Sequence, residues 1–310
     1  MDTVPHKFVD SVVELLGRDT LDELAREVRH SLWKDVVDLH HRNRVYYKVQ
    51  FQSYEDGTKR ASITWNAYRF SMRTILKNRR FARINIIRDF TGACKFDKIE
   101  KLSEAVTEQL LETIIPLIDR SSGDFCSGAF GSPECTKLVL TSLLKRVCLQ
   151  KIILRYYGPI TYDFLEDQIN NSPFLIDVQL YNWPLSSLDL INKFCLKGRP
   201  GKLVYVDLNF GGKTIIDSNY IQNLLDLWKA NGNLHFQLSF TGGIVDKEGL
   251  RALMNKGQLM NKSSIWSFFK HETKKSIARV SNNGIECFTC ECDKFMKCRL
   301  KECYPHHHDF

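Results

Sequence analysis

The sequence holds no apolar run near the roughly 20 residues that a bilayer-spanning helix needs, so no membrane role is expected. Its opening, MDTVPHKFVD, lacks the basic-then-apolar layout of a secretory signal. An intracellular, soluble protein, cytoplasmic and/or nuclear, is expected. No GxSxG elbow, HExxH pair, Walker sequence or paired CxxC cluster is present. The glycine- and serine-rich stretch SSGDFCSGAFGSPE at 121–134 lacks both GxxxxGK[ST] and GxGxxG spacing, and it reads as a plain loop. Basic residues are not concentrated: the net charge of +8 is moderate for 310 residues, and the short run KNRRFAR at 77–83 reads as a solvated face. These absences weigh against an enzyme, against a phosphate-binding loop and against nucleic acid. No catalytic residue and no cofactor are expected.

What is present is an ordinary globular composition, 43% hydrophobic and 26% charged. Cys94, Cys126, Cys135, Cys148 and Cys195 are scattered and read as reduced thiols, several of them in the core. Asp163, Glu166 and Asp167 in YDFLEDQ suit the start of a helix, where carboxylates favour the dipole. His40 and His41 are adjacent and diverge by about 100° around a helix, so they read as surface residues at a helix end.

Residues 4 to 39 show three short helical patterns. Phe8, Val12, Leu15 and Leu16 share one spacing, ended by Gly17; Leu21, Leu24, Ala25 and Val28 share the next; Leu32, Val36 and Leu39 form a third stripe beside Trp33. Such a unit is too small for a comfortable core of its own and is expected to lean on the remainder of the chain or on a partner.

Val4-Pro5, Phe8, Val12, Leu16, Leu21, Leu24, Val28, Trp33 and Val36-Val37 together resemble an F-box. The first position holds Val4 where the family carries leucine, and Val28 and Trp33 stand one residue further apart than is usual there. With RFARI and FLEDQINNSPFLIDVQL further on, the whole chain resembles the F-box families expanded in nematodes, which join an amino-terminal F-box to a variable substrate-recruiting region. The resemblance implies a Skp1-like adaptor, and through it a cullin, as partners. Val4, Pro5, Phe8, Val12, Leu16, Leu24, Val28 and Trp33 would form or support the Skp1-binding surface. It implies a non-catalytic substrate-recognition subunit of an SCF-type E3 ubiquitin ligase that recruits a target protein for degradation. Some relatives in such families act as antidotes that neutralise a cognate toxin.

Further along, VYYKVQF and ASITW flank a turn at Asp56-Gly57 and predict a β-hairpin. The helical pattern over 99–120 should kink or end at Pro116. An apolar-x-x-apolar-x-apolar pattern then recurs as Leu149, Ile152, Leu154, as Leu175, Val178, Leu180 and as Leu203, Val206, Leu208. A fourth unit fits with Asn233 ahead of Phe236 and Leu238, and an isolated earlier match is Phe81, Ile84, Ile86. The main units start at intervals of 26, 28 and 30 residues with helical patterns between them. This is the style of a degenerate leucine-rich-repeat-like solenoid, with a generic parallel α/β domain as the alternative. Alternation turns Arg155, Gln179, Tyr181, Tyr205, Asp207, His235, Gln237 and Ser239 outward, as a candidate substrate-binding surface.

At the end of the chain, alternation around Asn283-Gly284 predicts a second hairpin, followed by Cys287, Cys290, Cys292, Cys298, Cys303 and the run His306 to His308. The Cys287-x-x-Cys290 spacing suits zinc, with Cys298 and Cys303, or Cys298 and a histidine, as a second pair. The gaps are irregular, so free thiols on a hairpin and a flexible basic tail are expected and no metal. The fold class expected is α+β to α/β. Residues 1–44 form the F-box-like helical module, 45–98 a hairpin and connecting segment, 99–275 the repeat-like substrate-recruiting domain, and 276–310 the hairpin with its Cys/His-rich tail. A protein-interaction scaffold without a ligase, and a zinc-containing nucleic-acid-binding protein, are the alternatives.

Overall fold

The computed structural model describes residues 4–54, 56–92, 101–209, 211, 216–259 and 266–308; Cys94 lies outside them. The protein is mixed α/β, and among the described residues no helix is long and apolar enough to cross a membrane. It forms two compact units, Met1–Ile153 with Tyr157–Leu175, and Leu154–Tyr156 with Ile176–Phe310.

The first unit opens with helices α1 (His6–Glu14), α2 (Arg18–Glu27) and α3 (Ser31–Asn43). Val9, Val13, Leu21, Val36 and Val37 form their buried core, with Val4, Leu16, Leu24, Ala25, Leu32 and Trp33 packed partly buried around it. The inward stripe of α1 is therefore one residue away from the expected one: Val9 and Val13 face in, while Phe8 is 56% and Leu15 71% exposed. Apolar residues occupy both stripes, so periodicity alone could not choose between them. Val28 and His30 are extended and join α2 to α3, which accommodates the longer spacing between Val28 and Trp33.

His40 is not a surface residue: it is fully buried. Arg44 Nη2 donates to His40 Nδ1 at 3.3 Å, which places the ring proton on Nε2, 2.8 Å from Asp10 Oδ1. Arg44 also donates to the carbonyl oxygens of Val13, Glu14 and Leu16 around the carboxyl end of α1, where helix carbonyls run out of intrahelical donors. Arg80 reaches Asp10 and Arg83 reaches Glu14, tying the helices to the sheet of the same unit.

That sheet has β1 (Val45–Ser53) antiparallel to β2 (Lys59–Trp65), whose hairpin turn includes Gly57 at φ +77, and then β3 (Tyr68–Arg69). After α4 (Met72–Lys77), strand β4 (Ala82–Asp89) runs parallel to β1. A register shift opposite Tyr47 and Lys48 skips Asn85 and flips the alternation, so Ile84 and Ile87 are buried and Ile86, an expected anchor, is only half-buried. Helix α5 (Glu104–Ile114) is capped by Ser103 and stops ahead of Pro116, which lies in a 3-10 turn. The 121–134 stretch contains an unforeseen strand, β5 (Asp124–Ser127), parallel to β4 with Phe125 fully buried. Helix α6 (Pro133–Leu143), strand β6 (Lys151–Arg155) and helix α7 (Pro159–Asn171) follow. Since α7 starts at Pro159, Asp163, Glu166 and Asp167 lie beyond its first residues; buried Asp167 instead accepts from Lys145 N and Asn171 Nδ2.

In the second unit, β7 (Asp177–Tyr181), β8 (Val204–Asn209) and β9 (Phe236–Phe240) are parallel neighbours. Helices α8 (Leu188–Cys195), α9 (Ser218–Asn231) and α10 (Lys247–Met254) follow them in turn. Val178, Leu180, Val206, Leu208 and Leu238 are buried, as are Ile191, Phe194, Leu224, Leu225 and Trp228 from the helices. In the last two repeats the first anchor moves: Val204 and Leu234 are buried, whereas Leu203 is half-buried and Asn233 is exposed. Strand β13 (Gly284–Thr289) joins β9 antiparallel, and β12 (Ser276–Ser281), β11 (Trp266–Lys270) and β10 (Gln258–Leu259) extend the sheet beyond it. The hairpin turn falls on Asn282-Asn283, one residue earlier than expected, because Ser281 pairs with Gly284. A Cβ on Gly284 would stand 2.2 Å from the Leu238 carbonyl oxygen, so the close approach of β13 to β9 requires glycine there. A short helix, α11 (Arg299–Cys303), and a 3-10 turn at Pro305–His307 follow.

Candidate functional site

Three features carry possible function, the first on the helices. At 3.6 residues per turn, Pro5, Phe8, Val12 and Leu15 form one side of an apolar arc on α1 roughly 160° wide, and Leu16, Val9 and Val13 form the other. Only the second side is packed inward: Pro5, Phe8 and Leu15 are exposed and Val12 is half-buried. Among the other residues expected here, Val4, Leu16, Leu24, Val28 and Trp33 are half-buried. Of these, all but Val28 pack on the bundle core, so their main role is to hold the exposed stripe in place.

The second feature is the sheet face of the second unit. Arg155, Gln179, Tyr181, Tyr205, Asp207 and Gln237 are half-exposed and alternate with buried anchors. Strand register aligns them in rows: Asp177 stands beside Tyr205, which stands beside Gln237 and then Glu286, and Gln179 stands beside Asp207 and then Ser239. Ser239 Oγ donates to Asp207 Oδ1 at 3.2 Å and lies 3.3 Å from Tyr205 Oη. Partial burial pushes the Asp207 carboxyl above its ordinary range, and Asp177 adds like-charge repulsion, while the Ser239 bond opposes the shift.

His235 does not belong to this exposed face. It is fully buried, its ring edge-on to Phe288 at 5.4 Å, with Glu291 Oε1 3.3 Å from Nδ1 but without hydrogen-bond geometry. The reason is the chain end, which covers the far part of the sheet. Tyr304 packs on Phe268 and Phe288, His307 stacks on Phe268 at 4.1 Å, and Tyr304 Oη donates to Glu286 at 2.7 Å. The tail is thus a packed segment with its own apolar cluster of Phe268, Ile277, Phe288, Cys298 and Leu300.

The third feature is in that tail. The anticipated set Cys287, Cys290, Cys298 and Cys303 does not assemble: Cys287 is fully buried within β13, and Cys303 is exposed on α11. Instead Cys290, Cys292, Cys298 and His308 bring their ligand atoms within 4.8 Å of one another. Cys290 Sγ and Cys292 Sγ lie 3.3 and 3.2 Å from His308 Nε2, and Cys298 Sγ lies 4.0 Å from Cys290 Sγ. Cys290 directly follows β13, and extended chain turns residues two apart the same way. Glu291 between the cysteines turns away, accepting from Gly201 N at 2.6 Å and Arg299 N at 3.1 Å. Burial by itself raises the Cys298 thiol, but amide donors from Glu291 and Lys301 and the neighbouring thiols leave it below the ordinary range. Sequence spacing favoured CxxC; the Cys290-x-Cys292 pair and the terminal histidines were the available signal for this cluster.

No family model matches the sequence, and neither a curated protein nor a solved structure matches it.

Proposed function

We propose that the chain is the substrate-recognition subunit of an SCF-type E3 ubiquitin ligase. The observation that supports this reading is the exposed apolar stripe on α1, in which Pro5, Phe8, Val12 and Leu15 lie beside a filled helical core. An amphipathic helix that has satisfied its own bundle and still presents large apolar side chains is suited to a partner's hydrophobic groove. The F-box resemblance, which includes Pro5, Phe8 and Val12 of this stripe, points to a Skp1-like adaptor as that partner. Val4, Leu16, Leu24 and Trp33 support the surface from behind, and half-buried Val28 stands at the turn from α2 to α3.

On this reading the strands of the second unit form a degenerate leucine-rich-repeat-like array. Its rows of Asp177, Tyr205 and Gln237, and of Gln179 and Asp207, meet the target. Tyrosine brings contact area, and the half-buried aspartates favour a basic or hydrogen-bond-donating segment. The mechanism is proximity: the target's lysines are held near a ubiquitin-charged enzyme elsewhere in the complex. Disposal of a cognate toxin is one form that such targeting takes.

Co-purification of Skp1 with the full chain tests the reading. Wild-type protein should retain Skp1 at micromolar concentration, and Phe8→Asp and Leu15→Asp should release it while the far-ultraviolet spectrum stays unchanged. Failure of the wild-type protein to bind Skp1 would leave the interaction-scaffold function and remove the ligase.

A further inference from the structure

We propose that the chain end holds one structural Zn²⁺ ion, ligated by Cys290 Sγ, Cys292 Sγ, Cys298 Sγ and His308 Nε2. Four ligand atoms around a tetrahedral zinc stand at fixed separations. With Zn–S near 2.3 Å and Zn–N near 2.0–2.1 Å, neighbouring sulfurs are about 3.8 Å apart, and sulfur and nitrogen about 3.6 Å. The observed 4.0 Å between Cys298 and Cys290 and the 3.3 and 3.2 Å from the cysteines to His308 lie close to those edges. Three soft thiolates and one imidazole select zinc over the hard, oxygen-seeking cations. The set fills all four tetrahedral positions, leaving none for a substrate, so the ion is a brace rather than a catalyst.

The surroundings have the features of a built site. The Glu291 N–H points at Cys298 Sγ from 3.3 Å, a donor that stabilises thiolate charge. The Glu291 carboxylate fixes the intervening loop by binding the amides of Gly201 and Arg299. Gly201, at φ +82, brings its backbone so close to Phe295 that a Cβ would meet the ring at 2.3 Å. The ligands run Cys-x-Cys, five residues, Cys, nine residues, His. They thereby close the segment 290–308 into a loop at both its ends, and the ion pins the residues that carry Tyr304 and His307 over Phe268 and Phe288. Loading releases the protons of the three thiols, so affinity falls with acid. The cluster's geometry owes nothing to the ligase reading.

The test is elemental analysis of the full chain, purified under reducing conditions without a polyhistidine tag. About one zinc per chain is expected. Cys292→Ser, which removes an exposed ligand and leaves the core filled, should lower the retained metal by about tenfold or more after desalting. His308→Ala should also lower it, whereas Cys303→Ser should retain the full complement. Cobalt substituted for zinc should give the visible bands of a tetrahedral thiolate site, and Cys292→Ser should weaken them. Folded wild-type protein without zinc overturns the proposal. So does iron with labile sulfide in its place, a Cys290–Cys298 disulfide in the reduced preparation, or zinc that follows Cys303 rather than Cys292.

Discussion

The two ends of the chain address one physical problem differently. Each is a short segment whose apolar residues are too few to hold it alone. The amino-terminal helices gain a small aliphatic core and then a buried polar network, in which Arg44 binds three carbonyl oxygens at the end of α1 while His40 joins it to Asp10. The carboxy-terminal segment has a smaller, largely aromatic cluster and closes its ends with three thiols and an imidazole. Hydrogen bonds to a guanidinium demand that every acceptor stay in place; a metal ion asks only for four ligand atoms at tetrahedral corners. The first device suits regular helices, and the second suits a segment with one short helix.

The largest effect is expected at Arg44. Arg44→Ala removes the guanidinium from three carbonyl oxygens at the end of α1 and from the His40 ring, and should cost about 3–5 kcal/mol, read by urea unfolding of the full chain. At the other end, a chelator should release the zinc brace. At free metal 1,000-fold above the dissociation constant its loss amounts to about 4 kcal/mol. Hydrogen exchange should then rise over residues 290–308 and stay unchanged over the amino-terminal helices; equal change at both ends would show that the cluster is not a local brace.

A smaller effect separates the devices by pH. Burial and the adjacent Arg44 hold the His40 pKa below its ordinary 6.5, partly opposed by Asp10. The unfolded chain therefore takes up a proton that the folded chain refuses. The His40 contribution is complete above pH 6.5 and is lost as pH falls below it toward the depressed folded value. His40→Asn should lower stability at neutral pH and flatten this part of the pH profile, which thermal melts between pH 5 and pH 8 would measure. Smallest of all, Phe8→Asp and Leu15→Asp should change stability by no more than about 0.5 kcal/mol, since both side chains are exposed. A larger loss would mean that the stripe serves the fold rather than a partner.

The legible parts of the fold are those with an unambiguous local period. Leu149, Ile152 and Leu154, then Leu175, Val178 and Leu180, are buried where the repeat places them. The hairpin at Asp56-Gly57 and the interruption near Pro116 also follow from local chemistry. The misreadings occur where two answers satisfy the same pattern. On α1 the two apolar stripes are adjacent, and Asp10 binding to His40 belongs to the arrangement that turns Val9 and Val13 inward. In the later repeats Val204 and Leu234 stand one residue beyond the expected anchors and match strict strand alternation better than Leu203 and Asn233. Strand β5 was hidden by its glycine- and serine-rich flanks, although Phe125 needed a core to enter.

Sequence by itself determined the alternation of strands and helices, the alternation of half-exposed residues with buried anchors along each strand, and the supply of thiols near the end of the chain. These depend on periods of 2 and 3.6 residues and on composition, which are local properties. Tertiary structure alone decided which face of α1 stays open, that His40 and His235 are buried, and that Cys292 and His308 rather than Cys287 and Cys303 join Cys290 and Cys298. Those outcomes depend on what a distant segment brings within a few ångströms, and no local spacing carries that information.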